Sequence, residues 1–334
     1  MTSSNKGPRL EKLLKALREE KGFVSGERLG EKLGLTRASI WKMVKKLKEK
    51  GYTIASKPKM GYALLREPEA LNELAIREGL SCTFFGKKVH IAQEVNSTNT
   101  WAFEEALKGA EEGEVFLAEA QTHGKGRLGR VWFSPPHRNI YMSLILRPKL
   151  PPRKVPLLGL LASLAVAEVL KHSYGLNPFL KWPNDVLVKG KKICGILAEA
   201  YGEAEMTSFV VLGIGINVNV KRMDLPAELQ EIATSLAEEL GHEVSRNELV
   251  KKVLEAFEPL YLDLGLGKEK ELLDRYKAYF HMEGSEVLVE EFGHVIEGVV
   301  EGLDEEGALI LRTLQGPKKV FAGDVRVKKW ANSW

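Results

Sequence analysis

The segment Gln121–Trp132, QTHGKGRLGRVW, constrains the architecture more than any other part of the chain. Gly124, Gly126 and Gly129 spell GxGxxG, the fingerprint that opens a helix on a pyrophosphate in a doubly wound parallel sheet. A strand over EVFLAEA precedes the motif, as the fingerprint needs, but VWFSPPHRN follows it, and Pro135 and Pro136 forbid a helix there. No Asp or Glu occurs between Gly129 and Glu168, so the ribose-binding carboxylate is missing too. GxxxxGK[ST] is absent, which rules out a P-loop. What remains is a basic glycine loop between two strands, carrying Lys125, Arg127, Arg130 and, if protonated, His123. Such a loop either holds a phosphate through backbone N–H groups and cations or is a solvated hairpin.

With 334 residues and 44% apolar content, the chain is long enough for two or three domains with cores of their own. Cys82 and Cys194 stand far apart and outside any metal-ligand spacing, so no disulfide framework and no protein-held metal is expected. No signal peptide opens the sequence, and the longest apolar stretch, 155–170, is interrupted by Pro156, Ser163 and Glu168. It reads as a buried helix, and the protein as cytoplasmic.

Charge is divided unevenly. Residues 1–66 hold 17 Lys and Arg against 6 Glu and no Asp, a net of +11, whereas the rest nets −7, giving the +4 of the whole. A terminal module that meets a polyanion is implied. Leu10, Leu13, Leu14 and Leu17 repeat at helical spacing, a short helix follows over 27–33, and Gly34–Leu35 makes a turn. Thr36 then reads as the N-cap of TRASIWKMVKKLKEKG, closed by Gly51. Ile40, Val44 and Leu47 face a core, leaving Thr36, Arg37, Ser39, Lys42, Lys45 and Lys46 as candidate DNA contacts on the second helix of a helix-turn-helix. YTIASKPKMGYAL suggests two strands around a basic turn, 57–61, a wing that brings Lys57 and Lys59 to phosphates. A protein-docking module with a solvated basic face is the alternative.

Beyond Arg66 the pattern changes to an acidic connector and then to mixed strands and helices. Strands are expected over 89–94, 114–120, 140–146, 186–188, 193–201 and 209–218, with helices over 98–107, 155–174, 226–240, 246–264 and 268–281. So few helices between strands argue for an α+β unit with a largely antiparallel sheet. The tail, 284–330, alternates apolar and polar residues in four or five short strands, as a small barrel does. The expected domains are 1–66, 67–283 and 284–334.

Ser97-Thr98-Asn99, GKGRLGRVWFSP, KWPNDVLV (181–188), KKICGILAE (191–199) and GIGINVN (213–219) occur in an order that resembles the biotin protein ligases. With the amino-terminal helix-turn-helix, nearly the whole chain is similar to the bifunctional type that is also the biotin operon repressor. This resemblance implies a winged helix-turn-helix, a class II synthetase-like ligase domain of mixed sheet, and an SH3-like barrel. It implies ATP-dependent formation of biotinyl-5′-AMP and transfer of biotin to a lysine of a biotin carboxyl carrier protein. Magnesium would accompany ATP, and operator DNA and a second copy of the chain would be further partners.

By the same resemblance, Arg127, Lys125 and Lys192 face the carboxylate and phosphates, with Gly124, Gly126 and Gly129 giving backbone approach. Joining two anions needs such cations, and biotin's carboxylate, already ionised near pH 7, needs no base. Ser97, Thr98 and Gln121 fall to biotin with Gly124, Lys125, Gly126 and Gly195; Ser97 and Thr98 are equally read as N-caps. Arg130, Trp132, Asn184 and Asn217 fall to the adenylate, although Trp132 also reads as packing and Asn184 as fixing its own turn. Lys192, one of three lysines in KGKKI (189–193), otherwise reads as part of a solvated turn. Asp185 is the candidate to orient or accept the acceptor lysine's proton, or else it caps a strand. The sequence departs from the common pattern at Lys125, where Arg is frequent, and at Leu128, where a basic residue is frequent; Lys at a bidentate site acts only as a point charge. Competing readings are a lipoate-type ligase of the same fold, a biotin-responsive repressor without catalysis, and a ligase whose head is vestigial.

Overall fold

The computed structural model describes residues 7–20, 22–203, 206–291 and 293–331, so the outermost residues of the expected domains, 1–6 and 332–334, lie outside it. The chain divides into two compact units, 1–81 with 245–251, and 82–244 with 252–334.

In the first unit, α1 (Gly7–Glu19), α2 (Gly26–Leu33) and α3 (Arg37–Glu49) precede a hairpin of β1 (Thr53–Lys57) and β2 (Gly61–Arg66) and a short α4 (Glu73–Arg77). Ser25 and Thr36 cap α2 and α3 by accepting from Arg28 N and Ser39 N, and Gly34 ends α2 with φ 65. Leu13, Leu14, Leu17, Ile40, Val44 and Leu47 form the core, and the hairpin is tied to it because Tyr62 and Val24 exchange backbone hydrogen bonds at 2.9 Å. A Cβ on Gly61 would lie 2.0 Å from the Val24 carbonyl oxygen, so only glycine lets the wing lie this close. The unit extends past Arg66: Leu74 and Ala75 join the core, and Asn247 holds the segment before α4, its Oδ1 accepting from Asn72 N at 2.8 Å. Residues 67–81, grouped by sequence with the ligase part, thus pack with the head because their apolar residues complete its core.

The second unit is built on a seven-stranded sheet of β3 (Val89–Val95), β4 (Val115–Gln121), β5 (Ile140–Leu146), β6 (Pro178–Lys181), β7 (Asp185–Val188), β8 (Lys191–Gly202) and β9 (Thr207–Ile216). Its order is β3-β4-β5-β9-β8-β7-β6. Only β3 and β4 are parallel, joined over α5 (Thr98–Leu107); the other neighbours are antiparallel. The α+β expectation holds. Helix α6 (Val155–Tyr174) is long and apolar enough to cross a membrane by length and composition, but its residues 157–167 are all buried within this unit.

The stretch 226–240 differs from expectation. Only α7 (Leu236–Leu240) is helical there. Residues 226–233 are closed by local turns instead, Leu229 N donating to Pro226 O and Ala233 N to Leu229 O, and 232–234 hydrogen-bond to β8 and beyond: Lys192 N donates to Ile232 O, Thr234 N to Lys192 O, and Asn217 Nδ2 to Thr234 O. Tertiary pairing takes the backbone groups that a helix would need. Helices α8 (Arg246–Gly265) and α9 (Glu269–Lys277) follow, then β10 (Glu286–Glu291), β11 (His294–Leu303), β12 (Leu309–Thr313), β13 (Gly316–Val320) and β14 (Asp324–Lys329). These five form an antiparallel sheet in the order β13-β12-β11-β10-β14. Trp182 of KWPND anchors it, 2% exposed and donating its indole N–H to Gly307 O at 2.9 Å.

Candidate active site

Strand register assembles the site. Lys181 pairs with Asp185, Asp185 with Gly195, Gly195 with Gly215 and Gly215 with Tyr141. Directly paired residues share a face, so one row across five strands runs from charged residues through two glycines to a tyrosine. The glycines make room. A Cβ on Gly215 would lie 2.7 Å from Cε2 of Trp132, and one on Gly195 would lie 2.8 Å from its Cζ3. The indole therefore lies flat on the glycine pair, with the Lys192 ammonium 5.3 Å from the ring centre. Trp132 packs on the sheet, as one of its two sequence readings has it, and also lines the cavity.

Above this floor is a cavity of about 560 Å³ lined by Ser97, Thr98, Gln121, Lys125, Gly126, Arg127, Arg130, Trp132, Asn184, Asp185, Lys192, Gly195 and Asn217. Of the ligase-site residues assigned from sequence, Gly124 and Gly129 stand aside; they line the other face of the glycine loop, and a Cβ on Gly124 would meet Trp132 O at 2.5 Å. The loop itself is a tight turn over Arg127–Gly129, with Leu128 at φ 53 and Gly129 at φ 74, and Gly126 N donates to Arg130 O at 2.7 Å.

Six cations line the cavity, Lys125, Arg127, Arg130, Lys181, Lys192 and Arg326, against two carboxylates, Asp185 and Asp324. Lys192 Nζ sits 2.5 Å from Asp185 Oδ1. Arg130 forms a two-pronged pair with Asp324, and Arg127 Nη2 donates to Gly323 O at 3.3 Å. The glycine loop is thus pinned to the barrel. Burial pushes the Arg127 guanidinium pKa down, with Asp185 and Asp324 opposing and Arg130 reinforcing the shift. Burial does the same to Lys181, again opposed by Asp185 and worsened by Lys192. Cations crowded and partly dehydrated in this way are stabilised by an incoming anion.

The opposite end is polar but neutral. Gln121 Oε1 accepts from Thr98 N at 2.8 Å and from Thr98 Oγ1 at 3.2 Å, while its Nε2 donates to Ser134 Oγ at 2.9 Å. Ser143 Oγ donates to Asn99 Oδ1 at 2.6 Å and meets Thr98 Oγ1 at 2.8 Å. Ser97 caps α5, accepting from Asn99 N. Two assigned residues are committed locally: Asn184 Nδ2 donates to Ile196 O at 2.7 Å, and Asn217, 6% exposed, bonds Thr234 O and Asn139. Lys125 is the loop's loosest cation, exposed and 4.0 Å from Glu199. Lys181, Ser143 and Asp324 were given no role from sequence; KWPND offered a signal for Lys181, whereas Asp324 lies almost two hundred residues from its partner.

A model of the biotin/lipoate A/B protein ligase family matches residues 91–217, flanked by an HTH domain model over 9–63 and a biotin protein ligase C terminal domain model over 284–327. The bifunctional ligase/repressor BirA of Bacillus spizizenii is 36% identical over 305 residues, covering 91% of this chain and 94% of that protein. Its Escherichia coli counterpart is 32% identical over 309 residues, covering 92% and 93%. Among solved structures, biotin protein ligase from Aquifex aeolicus in complex with biotin and ATP is 31% identical with a TM-score of 0.63, covering 73% of this chain and 99% of that one. With ligase, helix-turn-helix and C-terminal modules present in the same order as in these relatives, the chain belongs to the biotin protein ligase family, in its bifunctional ligase/repressor form.

Proposed function

We propose that this chain activates biotin as biotinyl-5′-AMP, passes it to a lysine of a biotin carboxyl carrier protein, and, as a dimer, represses biotin-synthesis genes through its head. Biotin ligation joined to DNA-binding repression follows from the family. The carrier and the residue roles are inferences from chemistry, and the dimer is inferred from the resemblance to the bifunctional ligases. The residue roles assign DNA binding to the winged module within 1–66, catalysis to the part of 67–283 that lies in the second unit, from Cys82 on, and support of the loop to 284–334.

One observation bears most of the weight: a single cavity offers a cation-crowded end beside a neutral hydrogen-bonding end over an apolar floor. Biotin has a polar ureido ring, an apolar body and an anionic tail, so its ring suits Thr98 and Gln121 and its carboxylate the cations. In the first step the carboxylate oxygen attacks the α-phosphorus of ATP as the bond to the β-phosphate bridging oxygen breaks, and pyrophosphate leaves with its electrons. Arg127, Lys181 and Lys192 offset charge on both anions, and Asp185 holds Lys192 in place. Removing one such preorganised group costs about 10²–10³ in rate. In the second step the carrier's neutral lysine amine attacks the acyl carbon and AMP leaves; Asp185 lies within the same row to orient or accept the proton.

Magnesium would arrive on the nucleotide. Asp185 and Asp324 are the carboxylates lining the cavity, each paired with a cation, and no group of three or more His, Cys, Asp or Glu able to hold a metal occurs among the described residues. That donor set fits a magnesium ion held chiefly by phosphates. Biotin-dependent release of pyrophosphate from ATP tests the catalytic half. Its absence, with biotin still bound, would leave a ligand-responsive repressor and end the ligase reading. Lipoic acid in place of biotin should release none.

A further inference from the structure

We propose that Trp41 reads operator sequence directly, its indole pressed against a thymine methyl group in the major groove. This rests on the DNA-binding reading of the head. Helix α3 buries Ile40, Val44 and Leu47, 0%, 3% and 0% exposed, and turns its other side to water. On that side Arg37, Trp41 and Lys45 follow one another at i, i+4 and i+8, one stripe of the helix, with Lys42 beside them and all four exposed. Trp41 is 56% exposed, although tryptophan is on average a highly buried residue.

The company it keeps selects its occupant. Arg37, Lys42, Lys45, Lys46 and Lys48 are the charges of α3 as far as Glu49, so the surface around the indole is complementary to a polyanion. The neutral polar groups expected to read bases are partly spent within the helix: Thr36 Oγ1 accepts from Ser39 N at 3.2 Å and bonds Ser39 Oγ at 2.9 Å. Of the wing lysines Lys57 is likewise engaged, lying 4.9 Å from the Phe23 ring centre, and Lys48 of α3 donates from Nζ to Ser56 Oγ at 3.1 Å. An indole neutralises no phosphate, so between two phosphate-seeking cations its contribution is to an apolar base edge, which in the major groove is the thymine C5 methyl.

The test uses the full chain with biotin, ATP and magnesium, and a duplex enriched by that chain from a random-sequence pool. Trp41→Ala should weaken binding to the enriched duplex roughly tenfold to hundredfold, leave a scrambled duplex unaffected, and keep the slope of affinity against salt. Lys42→Ala, which removes one phosphate contact from each head of the dimer, should instead lower that slope by about 1.8. Replacing one thymine by deoxyuridine, which removes only the methyl, should weaken the wild type and add nothing to Trp41→Ala; Trp41→Phe should recover part of the loss. An unchanged Tm shows that the variant is folded. Equal weakening on both duplexes, or no thymine coupled to Trp41, overturns the proposal, as does loss of self-association without DNA, which would assign the indole to a second copy of the chain. A pool that yields no enriched sequence overturns the DNA-binding reading beneath it.

Discussion

Replacing Gly215 by alanine puts the floor of the cavity to the test. The added Cβ lies 2.7 Å from Cε2, 2.9 Å from Nε1 and 3.0 Å from Cζ2 of Trp132, whereas carbon atoms rest about 3.5–4.0 Å apart. Gly215 sits within β9 and is not among the positive-φ glycines, so its backbone accepts alanine and the clash falls on the indole. The ring must rise by about 1 Å, into the space meant for ligand. Such overpacking costs about 1–3 kcal/mol of stability, but a displacement of about 1 Å in a reacting site costs on the order of 100-fold in rate. Biotin-dependent pyrophosphate exchange and thermal unfolding separate the two. The kcat/KM should fall roughly tenfold to hundredfold, with Tm lowered by only a few degrees. Where Trp132→Ala is already present, Gly215→Ala should cost little more, because its clash partner is gone. An unchanged kcat/KM in the single variant, or losses that simply add in the double, would refute the packing argument.

Three further outcomes are expected. Arg127→Gly removes the loop's half-buried cation and its bond to Gly323 O; the activated adenylate should dissociate faster, measured as label released to solution, and unchanged adenylate affinity would count against the assignment. Asp185→Asn leaves Lys192 without its charge partner, so adenylate formation, carrier transfer or both should slow when followed separately, and loss of neither ends the catalytic role of Asp185. Glu258 contributes to acid stability: burial raises its pKa, but N–H groups of Thr83, Phe84 and Phe85 and the Thr83 hydroxyl outweigh that and hold it below the usual carboxylate range. Its stabilisation is therefore full above the unfolded-state pKa and lost as pH falls through the folded one. Glu258→Gln should cost about 1–3 kcal/mol near neutrality and progressively less in acid, whereas a difference constant with pH would contradict this.

Local patterns in the sequence foretold local structure well. The spacing that predicts α5 and α6 matches their observed limits, and Thr36 caps α3 as its hydroxyl suggests. Pro135 and Pro136 correctly kept a helix from following the glycine loop. Failures came where distant pairing outweighs local preference. Residues 226–235 break into turns and then give up the helical pattern at 232–234 to bonds with Lys192 and Asn217, and β6, four residues beginning with proline, leaves no periodic trace. The site shows the same division. Arg127 and Lys192 stand in recognisable motifs, but the row Lys181–Asp185–Gly195–Gly215–Tyr141 exists only through strand register, and the barrel's hold on the loop joins Arg130 to Asp324 across the length of the domain.

Label transfer addresses the central claim without intermediaries. The full chain is incubated with labelled biotin, ATP, magnesium and a biotin carboxyl carrier domain, and denatured carrier is assayed for bound label. The account predicts covalent label on one carrier lysine, dependent on ATP and abolished by Lys192→Ala. Biotin that stays bound to the chain, with no label on the carrier and no pyrophosphate formed, would contradict it.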